Sequence, residues 1–132
     1  MEAPVVQTTD AKPQRHGCFT AFLVVMILAN SLTALTYLAV PEIVTVRTPT
    51  ATPLFVFMLG MMGVANVLFA VALFKWKKWG FYGFAAMGLV GLVLNLSIGI
   101  GILPALFGLS GFALLYWTMQ MGGERRAWPH LE

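Results

Sequence analysis

Long apolar segments alternate with short polar ones along the chain, and the first two apolar segments have the length of one bilayer crossing. Residues 19–40 and 54–74 contain no charged side chain. A helix rises about 1.5 Å per residue, so about 20 apolar residues cross a hydrocarbon core of about 30 Å. Each of these two segments is therefore predicted to form one transmembrane helix.

The last apolar segment, residues 81–121, also lacks charge and is about twice as long as one crossing. A break is therefore expected inside it, and Gly99-Ile100-Gly101-Ile102-Leu103-Pro104 supplies one. Glycine loosens a helix, and proline disfavours helical geometry at the residue before it. We predict a third span at 81–103 and a shorter fourth span at 104–121.

The polar connections carry their own structural signals. The segment Pro41–Pro53 is a hydrophilic loop in which Ile43-Val44-Thr45-Val46 favours extended backbone, while Thr52-Pro53 is typical of a helix start. The turn Lys75-Trp76-Lys77-Lys78-Trp79-Gly80 combines lysines, which reach water, with tryptophans, which settle at headgroup level. It is predicted to be a membrane-interface anchor, and recognition of anionic headgroups is the alternative.

Polar tails flank the predicted spans, and the basic residues follow an alternating topology. Residues 1–18 form a tail that is expected to be disordered, and residues 122–132 form a second tail whose last two residues, Leu131 and Glu132, are either native or cloning remnants. The side that holds both tails receives Lys12, Arg15, Lys75, Lys77, Lys78, Arg125 and Arg126. The opposite side receives Arg47. Since cytoplasmic loops are enriched in Lys and Arg, both termini are predicted to be cytoplasmic.

The composition supports a membrane assignment. Of the 132 residues, 59% are hydrophobic and 10% are charged, and the mean hydropathy is +0.83. A soluble domain usually carries about a quarter charged residues, and a chain this short has too little interior to hide so much apolar surface from water. The net charge of +3 comes from basic residues in the short polar segments. This distribution predicts no folded basic surface that would bind nucleic acid. Membrane lipids are the expected partners.

Small residues recur on single helix faces, which is how helices approach one another in lipid. On the third span, glycines, a methionine and an asparagine follow a spacing of four, and such positions stay on one face. The glycines predicted to pack between helices are Gly60, Gly63, Gly83, Gly91, Gly99, Gly108 and Gly111. These faces are expected to bind other helices of the same chain, of a second copy or of another membrane protein.

Three asparagines, Asn30, Asn66 and Asn95, lie on three different predicted spans. An unpaired amide in hydrocarbon costs several kcal/mol, about 4–8 on a cyclohexane scale, so each must face protein or water. Two interpretations remain open for this polar cluster. The amides either form interhelical hydrogen bonds that fix the helix arrangement, or they line a path for a substrate or an ion.

The predicted spans lack the residues that most membrane chemistry requires. They contain no Asp, Glu, Lys, Arg or His, so neither a proton relay nor an activated serine is expected. His16 and His130 lie in opposite tails, so no zinc or haem site and no cofactor are predicted. The single cysteine, Cys18, excludes an intrachain disulfide and is either a small apolar residue at a helix start or a site of S-acylation. The protein is not expected to be an enzyme.

Two segments resemble small bacterial four-helix membrane proteins that are uncharacterised. Phe74–Gly83, with the sequence FKWKKWGFYG, is similar to the turn between their second and third helices. Leu114–Trp117 and Trp128–Glu132 are similar to their C-terminal pattern. The resemblance implies four spans in a bacterial inner membrane, and it implies no activity.

The predicted fold is an all-α membrane protein, an antiparallel four-helix transmembrane bundle with both termini inside. The predicted function is a non-enzymatic accessory or scaffold subunit that associates through its small-residue faces. The alternative is a small oligomeric channel or transporter with a polar path near Asn30, Asn66 and Asn95.

Overall fold

The computed structural model describes residues 14–97, 99, 101–123 and 126–132, without the side chains of residues 104, 105, 107 and 108. This part of the chain is helical and contains no strand. The elements are α1 (Gly17–Ala39), α2 (Pro41–Arg47), α3 (Pro53–Phe74), α4 (Trp79–Ser97), α5 (Ile102–Gln120) and a short 3-10 helix (Trp128–His130).

Three of the described helices are long and apolar enough to cross a membrane. They are α1, α3 and α4, with mean hydropathies of 2.1, 2.3 and 1.5 over their most apolar windows. Large aliphatic side chains on these helices are exposed, for example Leu28 at 65% and Val93 at 63%. Lipid is the solvent in which such a surface is stable. The predictions of an all-α chain and of helices able to cross a membrane are confirmed for the described residues.

The helix α2 replaces the extended segment that the sequence predicts at residues 43–46. Pro41 is preorganised for the first position of a helix. Glu42 lies in the first turn of α2 and Arg47 in the last, where each complements the helix dipole. The β-branched residues between them favour a strand only weakly, and these terminal signals override that preference.

The break between α4 and α5 lies earlier than predicted. The third span was expected to run to Leu103, whereas α4 ends at Ser97 and α5 begins at Ile102. Gly99 and Gly101 adopt positive φ angles of 75° and 89°, which glycine enters without a steric penalty. Pro104 falls in the first turn of α5, where a missing N–H costs no helix bond. The glycines therefore set the break, and the proline is accommodated in the first turn of the next helix.

The core lies at one end of the helices, where α1 and α4 begin and α3 and α5 end. We call this the tail-side end and the opposite one the α2-side end. Five fully buried side chains from α1, α3 and α5 meet here and form what we call the apolar plug: Phe19, Leu23, Leu73, Leu115 and Met119. The ring of Phe81 from α4 covers the plug, 4.9 Å from Phe112 and 5.1 Å from Trp128 between centroids.

Residues 126–132, which we call the C-terminal strap, fold across the tail-side end. The amide of Ala127 donates to the carbonyl of Met119 at 3.1 Å. Glu132 exchanges backbone bonds with the α3–α4 turn: its amide donates to Trp76 at 2.7 Å, and its carbonyl accepts from Lys78 at 2.6 Å. Ala127 and Leu131 are buried as a result. This part of the predicted tail is therefore packed onto the helices.

Arg15 fixes the N-terminal segment to the same turn. Its guanidinium carbon lies 4.9 Å from the ring centroid of Phe74 and 4.4 Å from that of Trp76, and it donates a hydrogen bond to the carbonyl of Phe74. That carbonyl belongs to the last turn of α3, which has no helical donor left for it. Burial lowers the pKa of the Arg15 guanidinium from its usual value. The predicted disorder of residues 1–18 falls mainly on residues 1–13, outside the described part.

Candidate functional site

The asparagines of α1 and α3 are joined by a hydrogen bond. Nδ2 of Asn66 donates to Oδ1 of Asn30 at 3.1 Å, and Nδ2 of Asn30 donates to the carbonyl of Met26 at 2.8 Å. Because the carbonyl of Met26 can only accept, Asn30 must direct its nitrogen there and its oxygen towards Asn66. The network therefore fixes the orientation of both amides.

This orientation leaves an acceptor of Asn66 without a protein partner. Its Oδ1 is buried, and no donor among the described residues lies within hydrogen-bond distance. An unsatisfied buried acceptor costs about 1–3 kcal/mol. A water molecule or a bound solute in contact with Oδ1 would remove that cost.

Two adjoining cavities meet at the three asparagines. The outer cavity, of about 320 Å³, lies on the α2 side, and the inner cavity, of about 290 Å³, lies towards the apolar plug. Residues that line both are Asn30, Met62, Asn66, Gly91 and Asn95. The structure thus brings all three predicted asparagines to one space, although Asn95 does not join the Asn30–Asn66 bond.

The outer cavity has a wall of hydroxyl groups. Thr33 and Tyr37 of α1 line it together with Thr48, which follows α2. Tyr37 is amphipathic, and a hydroxyl-lined entrance can be wetted from the membrane surface. The helix α2, which the sequence analysis treats as a loop, therefore supplies part of the entrance.

The inner cavity has a different lining. Its described walls include Met26, Met62 and Met87, and Phe84 and Phe112 form its boundary with the apolar plug. None of the described residues that line either cavity carries a charge. The site therefore suits a neutral or singly charged solute, because a highly charged one would lose its hydration without compensation.

Several predicted glycines pack within the chain. A Cβ on Gly60 would lie 2.7 Å from Leu38, and one on Gly63 would lie 3.1 Å from Ala34, so both bring α3 against α1. Gly83 faces the ring of Phe69, and Gly91 faces the methyl group of Met62, so both bring α4 against α3. Gly99 and Gly111 have open space at the Cβ position, and Gly108 lies outside the described side chains.

The predicted interface anchor, residues 75–79, forms the turn between α3 and α4. Trp79 begins α4 and is 54% exposed, as an interfacial tryptophan would be. Nζ of Lys77 pairs with Glu132 at 3.1 Å, and both side chains are exposed. Trp76 packs under Arg15 and so stabilises the end of α3 in addition to any contact with headgroups.

The hydrogen bond between Asn30 and Asn66 can be measured by a double-mutant cycle. Asn30→Ala and Asn66→Ala are expected to show a coupling of about 0.6 kcal/mol in the free energy of unfolding, the average for interhelical bonds in membranes. Unfolding by denaturant in detergent micelles, followed by tryptophan fluorescence, gives the four values required. The pair Asn30→Ala and Lys77→Ala is the control and should be additive, because Lys77 lies in the turn at the tail-side end and lines neither cavity. A coupling of zero for the first pair would contradict the bond.

Of the methionines of the inner cavity, Met87 was predicted only as part of the four-residue stripe on the third span, and Met26 and Met62 were not predicted. Each lies on the same face as an asparagine: Met26 is four residues before Asn30 and Met62 four before Asn66, while Met87 is eight before Asn95. These spacings keep both side chains on one helix face. The repeated spacing is visible in the sequence, but methionine is easily overlooked as one more apolar residue.

Comparison with known proteins gives no family and no fold relative: no family model, curated protein or solved structure matches this chain.

Proposed function

We propose that α1, α3, α4 and α5 are four antiparallel transmembrane helices and that both termini are cytoplasmic. Two observations support this topology. The apolar plug and the Phe81 ring that covers it bring the first turns of α1 and α4 together with the last turns of α3 and α5, so successive long helices run in opposite directions. More basic residues lie near the tail-side end than near the α2-side end, which has Arg47. This distribution is expected when the tail-side end faces the cytoplasm. The assignment to a bacterial inner membrane depends on the resemblance of the turn and the C-terminus.

We propose that the protein is a non-enzymatic membrane protein that takes up a small solute in the two asparagine-lined cavities from the α2 side. The observation that carries this proposal is the buried, unpartnered Oδ1 of Asn66 in a space lined by asparagines of three helices. Purely structural asparagines would be expected to satisfy one another and leave no cavity. A solute site explains both the open space and the missing donor.

The same geometry argues against association through small-residue faces as the main role. Gly60 and Gly63 already pack against α1, and Gly83 packs against Phe69. An accessory subunit would need such faces for its partner, and these ones are occupied within the chain. The solute-binding function is therefore favoured over the scaffold function.

The apolar plug makes the site one-sided. Phe19, Leu23 and Leu73 are fully buried below the inner cavity, so the space does not continue to the tail-side end. A solute that enters from the α2 side is held at the asparagines, and passage across the membrane requires the plug to open. We therefore favour the closed state of a transporter, or a binding protein, over a permanently open channel.

Access to the cavities can be tested with single cysteines in a Cys18→Ser background. Met62→Cys faces both cavities, whereas Met61→Cys lies at nearly the same depth, is 47% exposed and lines neither. Only a hydrated thiol ionises and reacts with a small, membrane-impermeant methanethiosulfonate. In proteoliposomes of defined orientation we expect mass spectrometry to find Met62→Cys modified from the α2 side only.

The labelling experiment has a control, Met61→Cys, and outcomes that would contradict the proposal. Met61→Cys should remain unmodified because its thiol lies in lipid. Equal protection of both positions would contradict a hydrated cavity, and modification of Met62→Cys from the tail side would contradict the plug. A stoichiometric partner that co-purifies and shields Met62→Cys would favour the accessory role instead.

A further inference from the structure

Three methionines from three helices surround the inner cavity at similar depth. Met26, Met62 and Met87 belong to α1, α3 and α4, respectively, and all three line this space. Counted by helical rise from the tail-side helix ends, they lie about 14, 18 and 12 Å deep. The three residues therefore lie within about one helical turn of one another in depth.

Packing alone does not account for these methionines. Methionine usually fills irregular gaps in a core because its side chain is flexible, and Met26 does pack against the core at the tail-side end. A cavity of about 290 Å³ nevertheless remains beside all three residues, so they border an open, uncharged space.

The chemistry of the lining selects one class of solute. Thioether sulfur is a soft, neutral donor that favours copper(I) over hard cations. Within the described part of the chain, no group of three or more His, Cys, Asp or Glu residues could hold a harder metal. The free Oδ1 of Asn66 adds an acceptor, which favours positive charge or the water that accompanies it. A single positive charge is the most that an uncharged, membrane-embedded site can accommodate at low cost.

We propose that the inner cavity binds a soft monovalent metal cation of the copper(I) class. Met26, Met62 and Met87 supply the sulfur ligands, and Asn66 faces the positive charge or its bound water. This inference depends on the proposed solute-binding function and names its solute. Since thioethers bind no proton near neutral pH, binding is independent of pH, unlike binding to histidine or thiolate.

Silver(I) is the probe, because it shares the ligand preference of copper(I) and is not oxidised in air. The full chain carrying Cys18→Ser, which removes the exposed thiol, is purified in detergent and dialysed against silver(I) with a competing chelator. We expect one silver ion per chain, with the same affinity at about pH 5.5 and 7.5. X-ray absorption of the bound ion should show sulfur neighbours, which only methionine can provide in this variant.

Matched substitutions identify the ligands. Met26→Leu, Met62→Leu and Met87→Leu each conserve volume, so the fold should persist, and each should weaken silver binding about tenfold or more. The triple variant should lose it. Met58→Leu and Met61→Leu are the controls. These methionines share an apolar surface groove with Met62 and Met87 but line neither cavity, so both variants should bind as the parent does, and weaker binding by them would place the silver in the groove. Equal binding by the triple variant and the parent, or equal loss in the controls, would overturn the proposal.

The experiments distinguish failure of the proposed metal site from failure of the proposed solute-binding function. If Met62→Cys is modified from the α2 side and the Cys18→Ser protein binds no silver, the metal site is wrong and the solute cavity stands. If silver binds through the three methionines in detergent and Met62→Cys is protected in liposomes, the metal site stands and one-sided access is wrong.

Discussion

Gly80→Ala is expected to lower the free energy of unfolding by about 1–3 kcal/mol, the usual cost of overpacking a close contact. A Cβ at this position would lie 2.5 Å from the backbone carbonyl oxygen of Phe69 and 3.1 Å from Cγ of Leu73. The carbonyl belongs to the body of α3 and cannot move aside alone, so α4 must shift away from α3. That shift would also disturb Leu73 in the apolar plug.

The matched control for this prediction is Gly88→Ala, also within α4. Its Cβ would lie 3.6 Å from Leu109, an ordinary contact. Alanine gains about 1 kcal/mol of helix propensity in a helix interior, where Gly88 lies, and at most that at Gly80, the second residue of α4. A difference between the variants larger than about 1 kcal/mol therefore measures the steric term. Denaturant unfolding of the two variants in the same micelles measures this difference. Equal stabilities would show that the close approach of α4 to Phe69 is wrong.

Arg15→Ala is expected to destabilise the protein by about 2 kcal/mol or more. A hydrogen bond from a charged donor contributes about 1.5–3 kcal/mol, and each cation–π contact contributes about 0.5–2 kcal/mol. Arg15 forms one such bond with the carbonyl of Phe74 and stacks on the rings of Phe74 and Trp76. Arg15→Lys keeps the charge and loses the planar stacking. Its stability should therefore lie between those of the parent and Arg15→Ala.

Lys77→Gln distinguishes the stacked arginine from a simple loss of positive charge at the same turn. It removes an exposed ion pair with Glu132, which contributes about 0–1 kcal/mol. Thermal unfolding of the three variants in detergent, followed by tryptophan fluorescence, should rank Arg15→Ala as the least stable. If Arg15→Ala and Lys77→Gln were equally stable, the packing of Arg15 against Trp76 would be wrong.

The sequence predicts the long helices well because hydropathy and end signals agree there. The second span was predicted at 54–74, and α3 is Pro53–Phe74, with Oγ1 of Thr52 accepting from the amide of Phe55 at 3.5 Å. The charge-free length and the threonine–proline start give the same boundary. At α2, the preference of the β-branched residues for a strand competes with the helix-start signal of Pro41. At the α4–α5 break, the glycines and Pro104 are competing positions for the end of the helix. Hydropathy does not distinguish these alternatives. Backbone geometry decides both cases, through Pro41 and through the positive φ of Gly99.

The candidate site was only partly predictable for a different reason. Asn30, Asn66 and Asn95 stand out in any hydrophobic sequence, because an amide in lipid needs a partner. A cavity, by contrast, arises where small residues leave space, as Gly91 does beside Met62, and only the packed helices show this. Met26 and Met62 were not predicted as lining residues because hydropathy treats methionine as one more apolar side chain.

The turn at residues 75–78 also bears on the order of assembly. It is held by Arg15 from one direction and by Glu132 from the other, through contacts that are 59 and 55 residues apart in sequence. Trp76 adopts a positive φ of 61°, and local bonds support it: the amides of Trp76 and Lys77 donate to the carbonyls of Leu73 and Ala72, a pattern that ends many helices. The contacts of Arg15 and Glu132 are distant in sequence, so their loop entropy must be overcome before they form. The helices and the turn between them can therefore form early, whereas the turn gains its contacts with Arg15 and Glu132 only after both tails have arrived.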